Sequence, residues 1–178
     1  MKNFVIPYLW EKRNIIIPFL SLLSKNPEYF YQDVNIKAVS GNFTATPLAG
    51  SPGNSFMCFD LGTLASKEDI EAAIDVYNNI FEIPIRLNFA NTEITQNDCY
   101  DNFSNLILDL CNSQGNEVVI HNSYLRNYIE ENYTNYKIVS SFCNIYNDIT
   151  DDLNNYDIIV LNDIFNKDNS TLTSIPVE

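Results

Sequence analysis

The chain is predicted to be an α/β protein in which (βα) repeats build a mainly parallel sheet, as a partial or incomplete TIM-like barrel. Three observations point there. Short runs of β-branched and aromatic residues alternate with stretches of helical periodicity. The strand runs are near-continuously apolar, as in strands covered on both faces. Polar residues gather immediately after them, at the ends where barrels and open parallel sheets hold ligands. At 178 residues the chain is expected to form a single domain over 1–178, because chains of this size bury roughly 70% of their unfolded surface. A hydrophobic share of 46%, with 11 Tyr and 11 Phe, supplies the apolar area that disordered chains lack.

The first strand is "FVIPYL" at 4–9. A first helix is expected over 15–24, with Pro18 tolerated only in its first turn, where its missing N–H costs nothing. Lys2 and "EKR" ahead of "IIIPFLSLL" imitate a signal peptide. The run contains Pro18, lacks a small-residue cleavage pattern and is too short to cross a bilayer, so an amphipathic helix and a cytoplasmic location are expected. The second strand, "NIKAVSG" at 35–41, leads into a long loop at about 41–62, "GNFTATPLAGSPGNSF", which is either functional or a plain insertion. In "SKEDIEAAIDVYNNI", Ser66 caps a helix with Asp69 three places on, and Ile70, Ala73, Ile74 and Tyr77 line one face.

The third strand is "IPIRLNFA" at 83–90. Tyr100, Phe103, Ile107 and Leu110 form the next helical stripe, closed by Gly115 in a left-handed conformation. The fourth strand, "EVVIHN" at 117–122, precedes a helix over 124–132 that buries Leu125, Tyr128 and Ile129. The fifth is "YKIVSSF" at 136–142, a weak helix lies near "DITDDLNN", and the sixth strand is "YDIIVLND" at 156–163.

The strand ends repeat one grammar. Asn88 and Asn91 follow "IPIRL"; His121, Asn122 and Ser123 follow "EVVI"; Ser140, Ser141 and Asn144 follow "YKIV"; Asn162 and Asp163 follow "DIIVL"; Glu11 follows the first strand. In a curled sheet these groups surround one concavity rich in donors and acceptors, suited to a small polar molecule or a peptide. The competing reading is local: Ser, Asn and Asp at such turns cap helices, worth roughly 1 kcal/mol each, and Ser123 and Asp163 suit that role. His121 is either an imidazole satisfied by nearby backbone or a ligand-contacting, proton-transferring group.

Several function classes are excluded. A net charge of −13 with only ten Lys and Arg disfavours phosphate-rich partners, so no nucleic acid is expected. Cys58, Cys99, Cys111 and Cys143 show no paired spacing and accompany one histidine, so no metal or cluster site is expected. They read as packing residues in a reducing compartment. The acidic runs lack calcium-loop spacing and no glycine-rich phosphate loop is present, so no cofactor is expected. No nucleophile motif is visible and the catalytic residues are unknown. Sequon-like triplets at Asn42, Asn102, Asn132 and Asn169 are chance matches in a chain with 26 Asn.

The segment 117–147, "EVVIHNSYLRNYIEENYTNYKIVSSFCNIYN", resembles the peptidase U32 family of collagenase-like peptidases. In that family a strand ending in Asn and a small residue precedes a helix, and a following strand leads to an Asn-x-x-Asn turn. The matching positions are Asn122 and Ser123, Ser140 and Ser141, and Asn144 and Asn147. "IPIRLNFANTEI" and "NLILDLCNSQGNEVVIHNS" look like uncharacterised bacterial relatives of the same barrel group. The resemblance implies a TIM-like barrel with its site at the carboxyl ends of the strands. It does not carry peptidase chemistry over, because none of the four cysteines fills the positions of the family's cysteine cluster. Six strands fall short of the usual eight, so a shortened barrel is expected, with exposed edges able to pair with another copy. Two functions follow: a module binding a small polar or peptide-like ligand or a protein partner, or a hydrolase or peptidase-like enzyme or a fragment of one.

Overall fold

The computed structural model describes residues 2–44, 46–49, 65–141, 155–160 and Thr173. Nine elements alternate along them: β1 (Lys2–Pro7), α1 (Arg13–Lys25), β2 (Val34–Gly41), α2 (Lys67–Asp75), β3 (Ile85–Phe89), α3 (Asn102–Cys111), β4 (Glu117–Ile120), α4 (Ser123–Asn132) and β5 (Lys137–Ser140). The strands lie in the order β1-β2-β3-β4-β5, every pair parallel. The expected α/β architecture with a parallel sheet is therefore present. Among the described residues the sheet is open and does not close into a barrel.

That strand order decides where the core sits. Each parallel neighbour is reached by a crossover, and crossovers of one hand put their helices on one face. Val39, Ile85, Leu87, Phe89, Val118, Ile120 and Ile138 on that face form a single cluster with Ile16, Leu20, Ile70, Tyr77, Ile107, Leu108, Leu125 and Ile129 of the helices. The opposite face carries a separate, small cluster of Ala90, Val119 and Val139, against which Ile158 and Val160 pack. The chain at 155–160 lies beside β5, where Ile158 bridges Val139 in parallel. The sixth strand thus starts in the expected position as an isolated bridge rather than a ladder; its continuation, with Asn162 and Asp163, lies outside the described residues.

Local chemistry explains the elements. Ser66 and Asp69 form the expected capping box at the start of α2, whose last turn runs on as a π-helical stretch over Val76–Ile80. Three local expectations are corrected. Pro18 stands inside α1, not in its first turn. The carbonyl it leaves without a donor belongs to exposed Asn14, which water can serve. The buried face of α3 is Ser104, Ile107, Leu108 and Cys111, while Tyr100 and Phe103 are exposed. The helix starts only at Asn102, after a 3-10 turn over Gln96–Tyr100, so its phase is rotated from the one read across both. Gly115 has a φ of +97°, but in the turn entering β4, beyond the α3 C-cap at Asn112.

The loop expected at about 41–62 begins with Gly41 still in β2 and contains a 3-10 turn over Pro47–Ala49. Residues 50–62, and the weak helix near "DITDDLNN" apart from Asn155, lie outside the described residues. At Gly41, φ is +152°, and a Cβ there meets the backbone nitrogen of Leu9 at 2.9 Å, where the chain leaving β1 crosses over the end of β2.

Candidate functional site

Among the described residues many amide and hydroxyl side chains are used internally, and the strand ends show how. Asn42, one residue beyond β2, accepts from the backbone N–H of Asn88 at 3.1 Å and donates to its carbonyl at 2.9 Å. It replaces the backbone partner that the ended strand no longer offers β3. Ser140 acts similarly at the end of β5, its hydroxyl accepting from the N–H of Val160 at 2.9 Å. At the amino ends, buried Asn116 accepts from the N–H of Ile85 at 2.7 Å and exchanges two 2.9 Å bonds with Asn78.

The predicted site residues divide accordingly. Asn91 donates to the Pro47 carbonyl at 2.8 Å and accepts from the N–H of Glu93 at 2.9 Å. Asn122 is the N-cap of α4, accepting from Tyr124 at 2.7 Å, and donates to the Ile94 carbonyl at 3.3 Å. The cap expected of Ser123 is thus made by its neighbour, and Ser123 is exposed as the first helical residue. Ser141 is fully buried, its N–H bonded to the Ile120 carbonyl at 2.9 Å. Asn144, Asn162 and Asp163 lie outside the described residues.

The face of the sheet opposite the described helices carries a further set of polar side chains. Register pairs Ser40 with Arg86, Arg86 with Glu117, and Glu117 with Lys137, so these four side chains form one row across β2 to β5. Arg86 donates through Nε to Oε2 of Glu117, and the two side chains are only 13% and 8% exposed. Asn88 is next on the same face of β3; its backbone is clamped by Asn42, but its amide side chain makes no hydrogen bond among the described residues. His121 follows β4 in the alternation that puts Glu117 and Val119 on this face. Its Nδ1 is buried without a partner among the described residues, as are Glu11 Oε2, Asn112 Oδ1 and Arg126 Nε. Arg126 Nε nonetheless lies 3.6 Å from the Glu130 carboxylate, leaving it an ionic neighbour that His121 lacks. The expectation that nearby backbone satisfies the imidazole does not hold among these residues.

Sequence reading missed Ser40, Arg86 and Glu117. A charge inside each of two otherwise buried strands, "IRLNF" and "EVVI", was the available signal, but only register reveals that they pair.

Cys58 and Cys143 lie outside the described residues, and among the described ones nucleophilic chemistry finds little material. Cys99 and Cys111 are buried free thiols, and burial pushes both thiol pKa values up, Cys111 far more, which keeps them in the less reactive protonated form. No group of three His, Cys, Asp or Glu able to hold a metal occurs among the described residues. No described helix is long and apolar enough to cross a membrane. A separate open groove of about 660 Å³, lined by Leu23, Phe30, Ile36, Phe81 and Ile83 among others, lies at the amino ends of β2 and β3, the end of the sheet away from His121.

Comparison with known proteins gives no family model, no curated protein and no solved structure that matches the chain.

Proposed function

We propose that the chain is a binding module that takes a small polar or peptide-like ligand on the sheet face opposite α1 to α4, towards the carboxyl ends of β3 and β4. The observation that carries this reading is the buried, unpartnered Nδ1 of His121. Among the described strand ends Asn42, Asn91, Asn122 and Ser140 are bonded internally, whereas an orphaned imidazole nitrogen costs about 1–3 kcal/mol unless something binds it. The unused amide of Asn88 on the same face supports the same location. The likeness to U32 peptidases agrees on the strand ends as the place of the site and supplies no reaction. The hydrolase alternative is the weaker reading, because no hydroxyl or thiol is hydrogen-bonded to His121 among the described residues. Buried free thiols suit a reducing, cytoplasmic setting.

The test is a backbone-amide NMR titration of the full chain with neutral blocked dipeptides and small polar amides. Shifts confined to residues 86–91 and 117–123, abolished in His121→Ala with the fold retained, are expected. Shifts at the groove of Phe30 and Phe81 instead, or none at all, refute the reading.

A further inference from the structure

We infer that the ligand presents a carboxylate, received by the terminal nitrogens of Arg86 that its pairing with Glu117 leaves open. This deepens the binding proposal above and rests on it.

A guanidinium has five N–H donors in a fixed fork. Glu117 engages Arg86 at Nε, and Nη1 and Nη2 make no hydrogen bond or ion pair among the described residues. The end of the fork offers two parallel N–H groups at the spacing of two carboxylate oxygens, an arrangement whose bonds are roughly twice as strong as neutral ones. At 13% exposure the guanidinium is largely withdrawn from water, so a carboxylate reaching it meets little competition from solvent. Glu117 fixes its direction, since the pair is held between adjacent strands by register.

The surroundings select the anion. The row of Arg86, Glu117 and Lys137 carries two cations and one anion, in a chain of net charge −13. A monoanion leaves that row neutral. A phosphate dianion places surplus negative charge next to Glu117, so the same fork favours a carboxylate. Asn88 stands two residues beyond Arg86 on the same face, and His121 four residues beyond Glu117, about 13 Å along the strand at about 3.3 Å per residue. A molecule with its carboxylate on Arg86 and hydrogen-bonding groups reaching Asn88 and His121 has the length of a short peptide, so the ligand class is a peptide with a free carboxyl terminus.

The experiment is isothermal titration of the full chain with N-acetyl-alanyl-alanine and with its C-terminal amide, followed by competition with inorganic phosphate. The acid is expected to bind at least about ten-fold more tightly than the amide, the difference one good charge-assisted contact makes. That preference disappears in Arg86→Gln/Glu117→Gln, which removes both charges together and so avoids an isolated buried ion. Should that variant fail to fold, Arg86→Lys keeps the charge without the fork and is expected to weaken the acid several-fold while leaving the amide unchanged. Equal affinity for acid and amide overturns the carboxylate and leaves the binding module standing. Binding of neither probe overturns both. Phosphate that displaces the acid at equal concentration, an acid preference that survives the double variant, or one undiminished in Arg86→Lys also overturns the assignment.

Discussion

Asn116→Ala is expected to be among the most destabilising polar substitutions in this protein. Asn116 is 1% exposed; its Oδ1 accepts from the N–H of Ile85, and its amide exchanges two bonds with Asn78. Truncation leaves the N–H of fully buried Ile85 without an acceptor, a loss of about 1–3 kcal/mol. Asn78 keeps the Ile83 carbonyl and the Ser113 hydroxyl as partners, and the Cys111 carbonyl keeps the N–H of Ser113, so neither is orphaned. Losing the reciprocal amide pair adds about 1–2 kcal/mol at the net value of an ordinary hydrogen bond. The sum is about 3 kcal/mol. In urea, with a slope of roughly 1–3 kcal/mol per molar, the midpoint falls by about 1 M or more at unchanged slope. Asn91→Ala removes two bonds near the surface, where water replaces them, and is the control at about 1 kcal/mol or less. A loss below about 1 kcal/mol at Asn116, or one no larger than at Asn91, refutes the view that buried amide pairing secures the start of β3.

The other predictions use the same measurements. Gly41→Ala forces a Cβ to within 2.9 Å of the Leu9 nitrogen at a φ of +152° and is expected to cost about 1–3 kcal/mol, read as a lower thermal midpoint. Pro18→Ala restores an N–H inside α1 at an exposed position and is expected to stabilise by up to about 3 kcal/mol; no gain refutes the idea that Pro18 interrupts a regular helix. Asn122→Ala loses the α4 cap and about 1 kcal/mol, whereas His121→Ala removes an orphaned atom and leaves the urea midpoint nearly unchanged. Burial raises the Tyr77 phenol to about 12 and raises Tyr133 and Tyr136 as well. The unfolded chain releases these protons near pH 10, so between there and about 12 it holds fewer protons than the folded chain, and stability falls as pH rises through that window. Urea midpoints across that range are expected to drop, less steeply in Tyr77→Phe.

Strand and helix positions were legible because their signals are local: short apolar runs stand inside "EVVI" and "KIVS", and "SKED" is a complete capping box. The phase of α3 was not, because the 3-10 turn before it carries Tyr100 in apparent register with Phe103 and hides the true start at Asn102. Pro18 was misplaced for a different reason: local rules forbid an interior proline more strongly than a solvent-exposed carbonyl does. At the site, residue type signalled the right region but not the use of each group. Asn42 read as noise, yet it closes the β2–β3 ladder, and Asn122 rather than Ser123 caps α4, a choice set by backbone direction at one residue. Arg86 and Glu117 were invisible as a pair because they are 31 positions apart and meet only through strand register.

The division between these two sets of polar residues has a physical origin in the strand order. With consecutive parallel neighbours, α1 to α4 share one face, and their packing demands apolar residues there and side-chain repairs where ladders end. Asn42, Asn116 and Ser140 make those repairs, so their substitution lowers stability whether or not a ligand exists. The other face carries the smaller cluster of Ala90, Val119 and Val139, and beside it a buried ion pair and an unused amide, with the orphaned imidazole of His121 just beyond β4. A buried ion pair is weak evidence for stability, since well-packed apolar replacements often do as well. Its presence on the face opposite α1 to α4 is in keeping with the binding site proposed above. The consequence is measurable: Arg86→Gln/Glu117→Gln is expected to keep the thermal midpoint within a few degrees of the parent while abolishing the carboxylate preference. A large fall in the midpoint, comparable to that of Asn116→Ala, assigns the pair to the scaffold instead.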